Sequence, residues 1–112
     1  MKIAVPTAGG KLCMHFGHCE KFLIADVDST AKSILSKEEV VPPPHEPGVL
    51  PKWLHEQGVN AIIAGGMGIR AQQFFQQYGI SVVVGAPANN PQEVILQWLK
   101  GELVTGGNSC DH

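Results

Sequence analysis

Apolar residues in the second half of the chain follow two different periods. Val59 to Ala64 (VNAIIA) and Ile80 to Val84 (ISVVV) are short runs that are nearly all apolar and rich in β-branched residues, which is typical of strands covered on both faces. Around them, apolar residues recur at helical spacing in three stretches that each stop at a glycine. The resulting order, α-β-α-β-α over residues 50–101, predicts parallel strands joined by right-handed crossovers.

The last of these predicted helices has a complete start signal. Asn90 suits the N-cap, Pro91 suits the first helical position, and Glu93 stands at capping-box spacing. The apolar residues behind them share one helical face before Gly101. The sequence therefore predicts a helix that starts directly after Asn90.

The pattern in the first half of the chain predicts strands. Lys2 to Val5 and Phe22 to Val27 are apolar enough for buried strands, whereas Ala31 to Val41 is more polar, which favours the edge of a sheet. Between the last two strands, Asp28-Ser29-Thr30 has the residue types of a hairpin turn. Pro42-Pro43-Pro44 ends this hairpin and begins a stiff linker into the first helix.

Together these segments predict an α/β protein with a mixed five-stranded sheet, in the order β-β-β-α-β-α-β-α, with helices packed on it. We expect one domain over residues 1–104 and a flexible tail over residues 105–112. Ligands of open α/β sheets bind beyond the carboxyl ends of the parallel strands. Three segments leave those ends here: residues 7–19, 65–70 and 85–90.

The first of these segments is rich in metal-ligating side chains. It contains the stretch CMHFGHC, in which thiolates and imidazoles could bind copper, zinc, iron or a metal-sulfur cluster. The spacing C-x-H-x-x-H-C differs from the C-x₂-C pairs of structural zinc sites. In a second interpretation, which stays open, His15 caps or supports a turn, and Cys13 and Cys19 are small buried residues that fill space in the core. The candidate metal ligands are Cys13, His15, His18 and Cys19.

The second segment, AGGMGIRA, joins a strand to a helix through three glycines. Gly65, Gly66 and Gly68 leave backbone N–H groups at a helix N-terminus, where anions bind. Arg70 adds a positive charge. The pattern is neither a P-loop nor a complete G-x-G-x-x-G fingerprint, so it is weak evidence for a nucleotide. The alternative is a tight turn with close helix–sheet packing, in which Met67 is a core residue.

Composition narrows the classes of function. The chain has 112 residues, of which 44% are hydrophobic and 16% charged, as in a globular domain. Its formal net charge of -2 gives no support for general nucleic-acid binding. The first apolar stretch stops at Pro6, and no apolar run approaches the ~20 residues of a membrane span. We therefore expect a cytoplasmic protein whose three cysteines are thiols or metal ligands.

Catalytic groups are hard to find in this sequence. The three segments lack a convincing pair of carboxylates for acid–base catalysis. The sequence also lacks a Ser-His-Asp triad in which the serine lies in a nucleophile-elbow motif. A cysteine nucleophile with a histidine base is conceivable, but nothing orients that base. Binding therefore fits better than catalysis. The tail adds Cys110 and His112, for which disorder and recruitment to a metal are the two interpretations.

Motifs along most of the chain resemble the dinitrogenase iron-molybdenum cofactor-binding family. They are MKIAVPT, the His15-Phe16-Gly17 stretch before Phe22, VNAIIAGGMGIRA and ISVVVGA, and the resemblance spans residues 1–104. It implies a ribonuclease H-like α/β fold without nuclease chemistry. It also implies binding or carrying of sulfide clusters that contain molybdenum or iron. Some standalone members, the orange proteins of sulfate reducers, carry a mixed molybdenum-copper sulfide cluster.

The resemblance also implies where a cluster would bind. His15 matches the histidine of the family's H-F-G motif and is the first candidate ligand. Four residues match the family's second loop: Gly65, Gly66, Gly68 and Arg70. The other expected contacts are Met14, Phe16, Gly17 and Met67. We expect a cluster held largely by charge and hydrogen bonds, and a donor or acceptor protein for that cluster as a partner.

The chain departs from the family pattern in its additional donors, His18 and Cys19. We also expect no extra domain for docking to nitrogenase, which favours a standalone cluster-binding protein over a role in nitrogen fixation. Two other hypotheses stay open. A simple copper or zinc protein would lack acid-labile sulfide, and a small cysteine-dependent or phosphate-ligand enzyme would show a reactive thiol of low pKa or nucleotide affinity.

Overall fold

A mixed β-sheet forms the centre of the protein, in a computed structural model that describes residues 1–14, 16, 19–44, 46 and 48–106. Within these residues the strands are β1 (Lys2–Ala8), β2 (Lys11–Leu12), β3 (Lys21–Asp28), β4 (Ser33–Val40), β5 (Ala61–Ile63) and β6 (Ser81–Val83). The strands lie in the order β4-β3-β1-β5-β6, and β2 pairs with β1. Strands β1, β5 and β6 are parallel, whereas β3 and β4 continue the sheet antiparallel. The predicted mixed α/β architecture is thus confirmed.

The sheet has one strand more than the five that were predicted. Strand β2 folds back on the end of β1, with Thr7 opposite Leu12. Gly9 and Gly10 both have positive φ, 62° and 79°, which a two-residue hairpin turn of this kind requires. The prediction ended the first strand at Val5 and did not place a turn at the two glycines, although Gly-Gly is itself a hairpin signal.

Three short helices cover the sheet in the described part of the chain. They are α1 (Val49–Glu56), α2 (Ile69–Gln77) and α3 (Pro91–Leu99). The predicted start of α3 is confirmed, since the Asn90 side chain accepts a hydrogen bond from the N–H of Gln92 at 2.9 Å. Among the residues that the structure describes, no helix has the length and apolar character needed to cross a membrane.

The helices bury both faces of the sheet. Side chains alternate along a strand, so neighbouring residues of β1 join different clusters. Ile3 belongs to the cluster that includes Ile95 of α3. Ala4 belongs to the opposite cluster, which includes Leu54 of α1 and Phe75 of α2. This two-sided burial explains why the central strands lack a polar face.

Parallel pairing brings the carboxyl ends of β1, β5 and β6 to one edge of the sheet, here called the carboxyl edge. Three connections leave it: the first loop (residues 9–20), the second loop (residues 64–68) and the third loop (residues 84–90). Their common position at this edge is the geometric basis for a candidate ligand site.

Candidate functional site

The first and second loops are in direct backbone contact. A Cβ atom added to Gly65 would lie 2.9 Å from the Cα of Met14 and 3.2 Å from the carbonyl oxygen of Cys13. Next to this contact, the backbone N–H of Phe16 donates a hydrogen bond to the carbonyl oxygen of Gly66 at 2.9 Å. A side chain at position 65 would therefore push the two loops apart, so glycine is needed there for close approach.

The third loop extends this surface. The backbone N–H of Gly85 donates to the carbonyl oxygen of Gly65 at 2.8 Å, and the N–H of Leu12 donates to the carbonyl oxygen of Asn89 at 3.0 Å. Each of the three loops is thus hydrogen-bonded to another through its backbone. Sequence analysis included residues 85–90 among the segments at this edge but did not single out Gly85, whose position directly after a predicted strand was the available signal.

Two cysteine side chains of the first loop lie beneath this surface. Cys13 and Cys19 are each 7% exposed, carry thiols rather than a disulfide bond, and belong to the core cluster on the face covered by α1 and α2. The backbone N–H of Cys13 donates to the carbonyl oxygen of Pro6 at 2.8 Å, which continues the hairpin past β2. The fold therefore places both thiols of this loop on the same face of the sheet.

Burial changes the acidity of one of these thiols. It raises the pKa of Cys19 from its ordinary value of 9.0 to about 12, and the charge of neighbouring Cys13 adds to the rise, while a backbone hydrogen bond offsets part of it. The Cys19 thiol is therefore protonated at neutral pH and is a poor nucleophile. This disagrees with the hypothesis of an enzyme that uses a low-pKa thiol at Cys19. A metal that binds this sulfur would have to displace its proton.

Phe16 fixes the first loop to the core. Its ring is 8% exposed and meets Phe22 at 6.1 Å and Phe75 at 5.6 Å between ring centroids, both edge-to-face. Met67 of the second loop has no exposed surface, and its carbonyl oxygen accepts a hydrogen bond from the Gln72 side chain at 2.9 Å. Both apolar side chains thus pack into the core behind the loops.

The N-terminus of α2 is a positively charged part of the carboxyl edge. Gly68 is its N-cap and has an extended backbone, with φ −66° and ψ 157°. No described side chain caps this terminus, and no acidic residue stands in its first turn. Exposed Arg70 adds a full charge to the partial positive charge of the helix end. An anion at this end of the helix would be stabilised by both.

The structure describes only part of the predicted site. It brings together Cys13, Met14, Phe16, Gly65 and Gly66 through the contacts above. His15, Gly17 and His18 lie outside the described residues, as do Cys110 and His112 of the tail. Within the described part of the chain, no three His, Cys, Asp or Glu side chains are grouped to hold a metal ion.

Solved structures with the same fold include two whose likeness spans nearly the whole chain. A protein described as "Crystal structure of PH0822" has a TM-score of 0.85 and 29% identity, and the match covers 94% of each chain. The apo form of the orange protein from Desulfovibrio gigas has a TM-score of 0.74 and 21% identity, over 96% of this chain and 93% of that one. The latter identity is low enough that it shows the fold alone.

Sequence comparison gives the family. An uncharacterized protein of Methanocaldococcus jannaschii, MJ0580, is 32% identical over 109 residues, which cover 92% of this chain and 89% of the relative. The sequence profile described as "Dinitrogenase iron-molybdenum cofactor" matches residues 1–101. The resemblance carried by the H-F-G stretch and the strand–glycine–helix element is therefore confirmed over nearly the whole length. This chain belongs to the dinitrogenase iron-molybdenum cofactor family.

Proposed function

We propose that this protein binds or carries a metal–sulfide cluster at the carboxyl edge and performs no catalysis on it. The cluster contains molybdenum, with or without copper or iron. The observation that carries the proposal is the contact of Gly65 with Met14, which holds a thiol-bearing loop against the loop that starts α2. Membership in a family described by the iron-molybdenum cofactor supports the kind of cargo.

The residues present fit such a cargo. A metal–sulfide cluster is a soft anion, which favours backbone N–H donors, positive charge and soft ligands around it. The N-terminus of α2 and Arg70 supply the first two. Met14, a residue that is 40% exposed, supplies sulfur at this surface, and the thiols of Cys13 and Cys19, each 7% exposed, are proposed ligands from the core side. His15 and His18 remain proposed ligands on the basis of their positions in the sequence.

The proposal extends to the fold class, the cellular location and the partner of the protein. We propose that the fold is ribonuclease H-like without nuclease chemistry, and that the protein is located in the cytoplasm, where thiols stay reduced. A carrier needs a protein that supplies its cluster or receives it. The carboxyl edge, where the cluster would be bound, is the surface that such a partner would approach.

The decisive experiment measures metals and acid-labile sulfide on protein purified without oxygen, and after incubation with tetrathiomolybdate and Cu(I). The first variant is His15→Ala, and its matched control is His55→Ala, since His55 is an exposed histidine on α1 away from the loops. We expect molybdenum with stoichiometric sulfide on wild type and on His55→Ala, and much less on His15→Ala.

Two outcomes would contradict the proposal. Zinc or copper bound without sulfide would point to a plain metal-ion site. Protein that contains no metal and takes up none of the offered cluster would rule out both binding and carriage. Equal uptake of the cluster by His15→Ala and His55→Ala would support cluster binding but show that His15 is not a ligand.

A further inference from the structure

A short segment brings the chain back to the carboxyl edge after the last helix. Helix α3 starts at that edge, and its nine residues carry the chain about 14 Å away from it. Residues 102–106, here called the strap, then return. The backbone N–H of Gly106 donates a hydrogen bond of 2.7 Å to the carbonyl oxygen of Gly85 in the third loop. The strap thus connects the end of α3 to the loop surface of the candidate site.

The two ends of the strap are held in different ways. At its start, the backbone N–H of Glu102 donates to the carbonyl oxygen of Gln97 at 2.8 Å, and half-buried Leu103 packs against the core cluster that includes Ile95. The residues that follow are exposed, and Val104 has an exposed fraction of 83%. Packing therefore holds the start of the strap, and the backbone bond to Gly85 holds its far end.

Gly85 is shaped to receive Gly106. It has a φ of +83°, which favours glycine, and an added Cβ would fall on the carbonyl oxygen of Gly106 and lie 2.8 Å from its carbonyl carbon. Another residue at position 85 would therefore displace the end of the strap. The close approach is particular to this glycine, because an added Cβ on Gly79, which also has positive φ, would have no described atom within 4 Å.

Gly85 also links the strap to the second loop. Its carbonyl oxygen accepts the bond from Gly106, and its own N–H donates to the carbonyl oxygen of Gly65 at 2.8 Å. Gly65 in turn lies against Met14 of the first loop. A glycine has more conformational freedom than other residues, so the bond from the strap restricts Gly85 more than it would restrict another residue. The strap is thereby connected, through two backbone bonds, to the contact that carries the proposed function.

The position of the strap in the sequence separates it from the family pattern. The family profile matches residues 1–101, and the strap follows directly after them. Its exposed end adds little to the core, yet it fits one glycine of the third loop closely. We infer that the strap is a positioning element of the cluster site. The Gly106 N–H fixes Gly85, so that Gly85 keeps Gly65 and the second loop against the first loop, and this slows release of the cluster.

This inference rests on the proposed function and adds a control on how long the cargo stays bound. Gly106 is a positioning residue, since it acts through Gly85 and Gly65 and forms no bond to the cargo. Local opening of a segment held at its end by one backbone bond requires less free energy than unfolding of the sheet. A partner that displaced the strap would therefore loosen the loops and speed transfer of the cluster.

A matched pair of variants at position 106 isolates the hydrogen bond. Gly106→Pro removes the N–H that donates to Gly85. Gly106→Ala keeps this N–H, and its added Cβ would lie 3.9 Å from the carbonyl oxygen of Gly85, an ordinary contact distance. Both proteins are loaded with tetrathiomolybdate and Cu(I), and the loss of bound molybdenum is followed during dialysis. We expect Gly106→Pro to lose molybdenum about tenfold faster than wild type, and Gly106→Ala to match wild type.

The second readout is amide hydrogen exchange on protein without cargo. The Gly85 N–H is bonded to Gly65, and the Phe16 N–H is bonded to Gly66. We expect both amides to exchange about tenfold faster in Gly106→Pro than in Gly106→Ala. The Asn60 N–H, which donates to the carbonyl oxygen of Lys2 at the opposite edge of the sheet, should exchange at the same rate in both. A general loss of stability would instead speed all three.

Two further pairs approach the contact from its other sides. Gly85→Ala displaces Gly106, whereas Gly79→Ala carries the same kind of positive-φ strain without that contact, so only the former should release cargo faster than wild type. A chain ended after Gly101 lacks the strap, and a chain ended after Gly106 keeps it. Faster release from the shorter of these two chains alone would support the inference.

Three outcomes would overturn the inference. Equal exchange at Gly85 in Gly106→Pro and Gly106→Ala would show that the strap does not fix the third loop. Faster exchange without faster loss of molybdenum would show that the strap orders the loops but does not retain the cargo, and cluster binding itself would stand. Failure of wild type to take up any cluster would overturn the proposed function, and the role of the strap in retention with it.

Discussion

Gly65 and Met14 meet so closely that a Cβ on Gly65 would lie 2.9 Å from the Cα of Met14 and 3.1 Å from its sulfur. This contact joins the loop after β1 to the loop after β5. It brings the cysteine-bearing first loop against the loop that leads into α2, although these segments are far apart in the chain. The candidate site therefore depends on the absence of a side chain at position 65.

The first prediction concerns that position. Gly65→Ala should lower the free energy of unfolding by about 1–3 kcal/mol, because the new methyl group overlaps backbone that cannot move aside easily. Gly68→Ala is the matched control. An added Cβ there has no described atom within 4 Å, and the change at an N-cap should cost less than about 1 kcal/mol. Denaturant unfolding measures the unfolding free energy of both variants. Equal decreases would show that the two loops are not in close contact at Gly65.

Phe16 should be important for stability rather than only for binding. Phe16→Ala removes two edge-to-face contacts and leaves a cavity, so we expect a loss of about 3–5 kcal/mol in unfolding free energy. Ile69→Ala, at a side chain that is 54% exposed, should change it by less than about 0.5 kcal/mol. A Phe16→Ala protein as stable as the Ile69→Ala protein would contradict the buried position of the ring.

Alkaline pH should destabilise the protein through Cys19. The folded-state pKa of this thiol is about 12, above its ordinary value of 9.0, so between these pH values the folded chain holds a proton that the unfolded chain has lost. Stability is then full below about pH 9 and declines as the pH rises toward 12, by at most about 1.4 kcal/mol per pH unit.

Comparison with Cys19→Ala isolates this effect. The two proteins differ in no other ionisable side chain, so only the slope that Cys19 contributes should differ between them. Unfolding free energy measured from pH 8.5 to 11 is the readout. Parallel curves for the two proteins would show that burial does not hold the proton on Cys19.

Charge at the start of α2 should govern the affinity for an anionic cluster. Arg70→Glu replaces attraction by repulsion beside the helix N-terminus, and we expect about tenfold weaker binding of tetrathiomolybdate, or about 1.4 kcal/mol. Lys100→Glu makes the same change of net charge at the end of α3, away from the carboxyl edge, and should leave binding unchanged. Similar losses in both variants would indicate a response to net charge alone.

Local pattern predicted most of the secondary structure. All three helices form where apolar spacing and terminal glycines indicated them, and Asn90 caps α3 as expected. Strand limits were less well predicted, since β1 continues to Ala8 through Pro6 and Thr7, where pairing with β3 and β2 holds the backbone. Strand pairing depends on two segments of the chain, so the sequence of either segment alone predicts its limits poorly.

The sequence by itself determined which residues form helices and strands, that the central strands are buried on both faces, and that soft donors follow the first strand. Those properties depend on the residues of one segment and their spacing. The tertiary structure decided that Gly65 lies against Met14, and that Gly106 returns to Gly85 at the same edge. Both contacts join residues distant in the chain, and only the packing of the sheet and helices brings their backbones together.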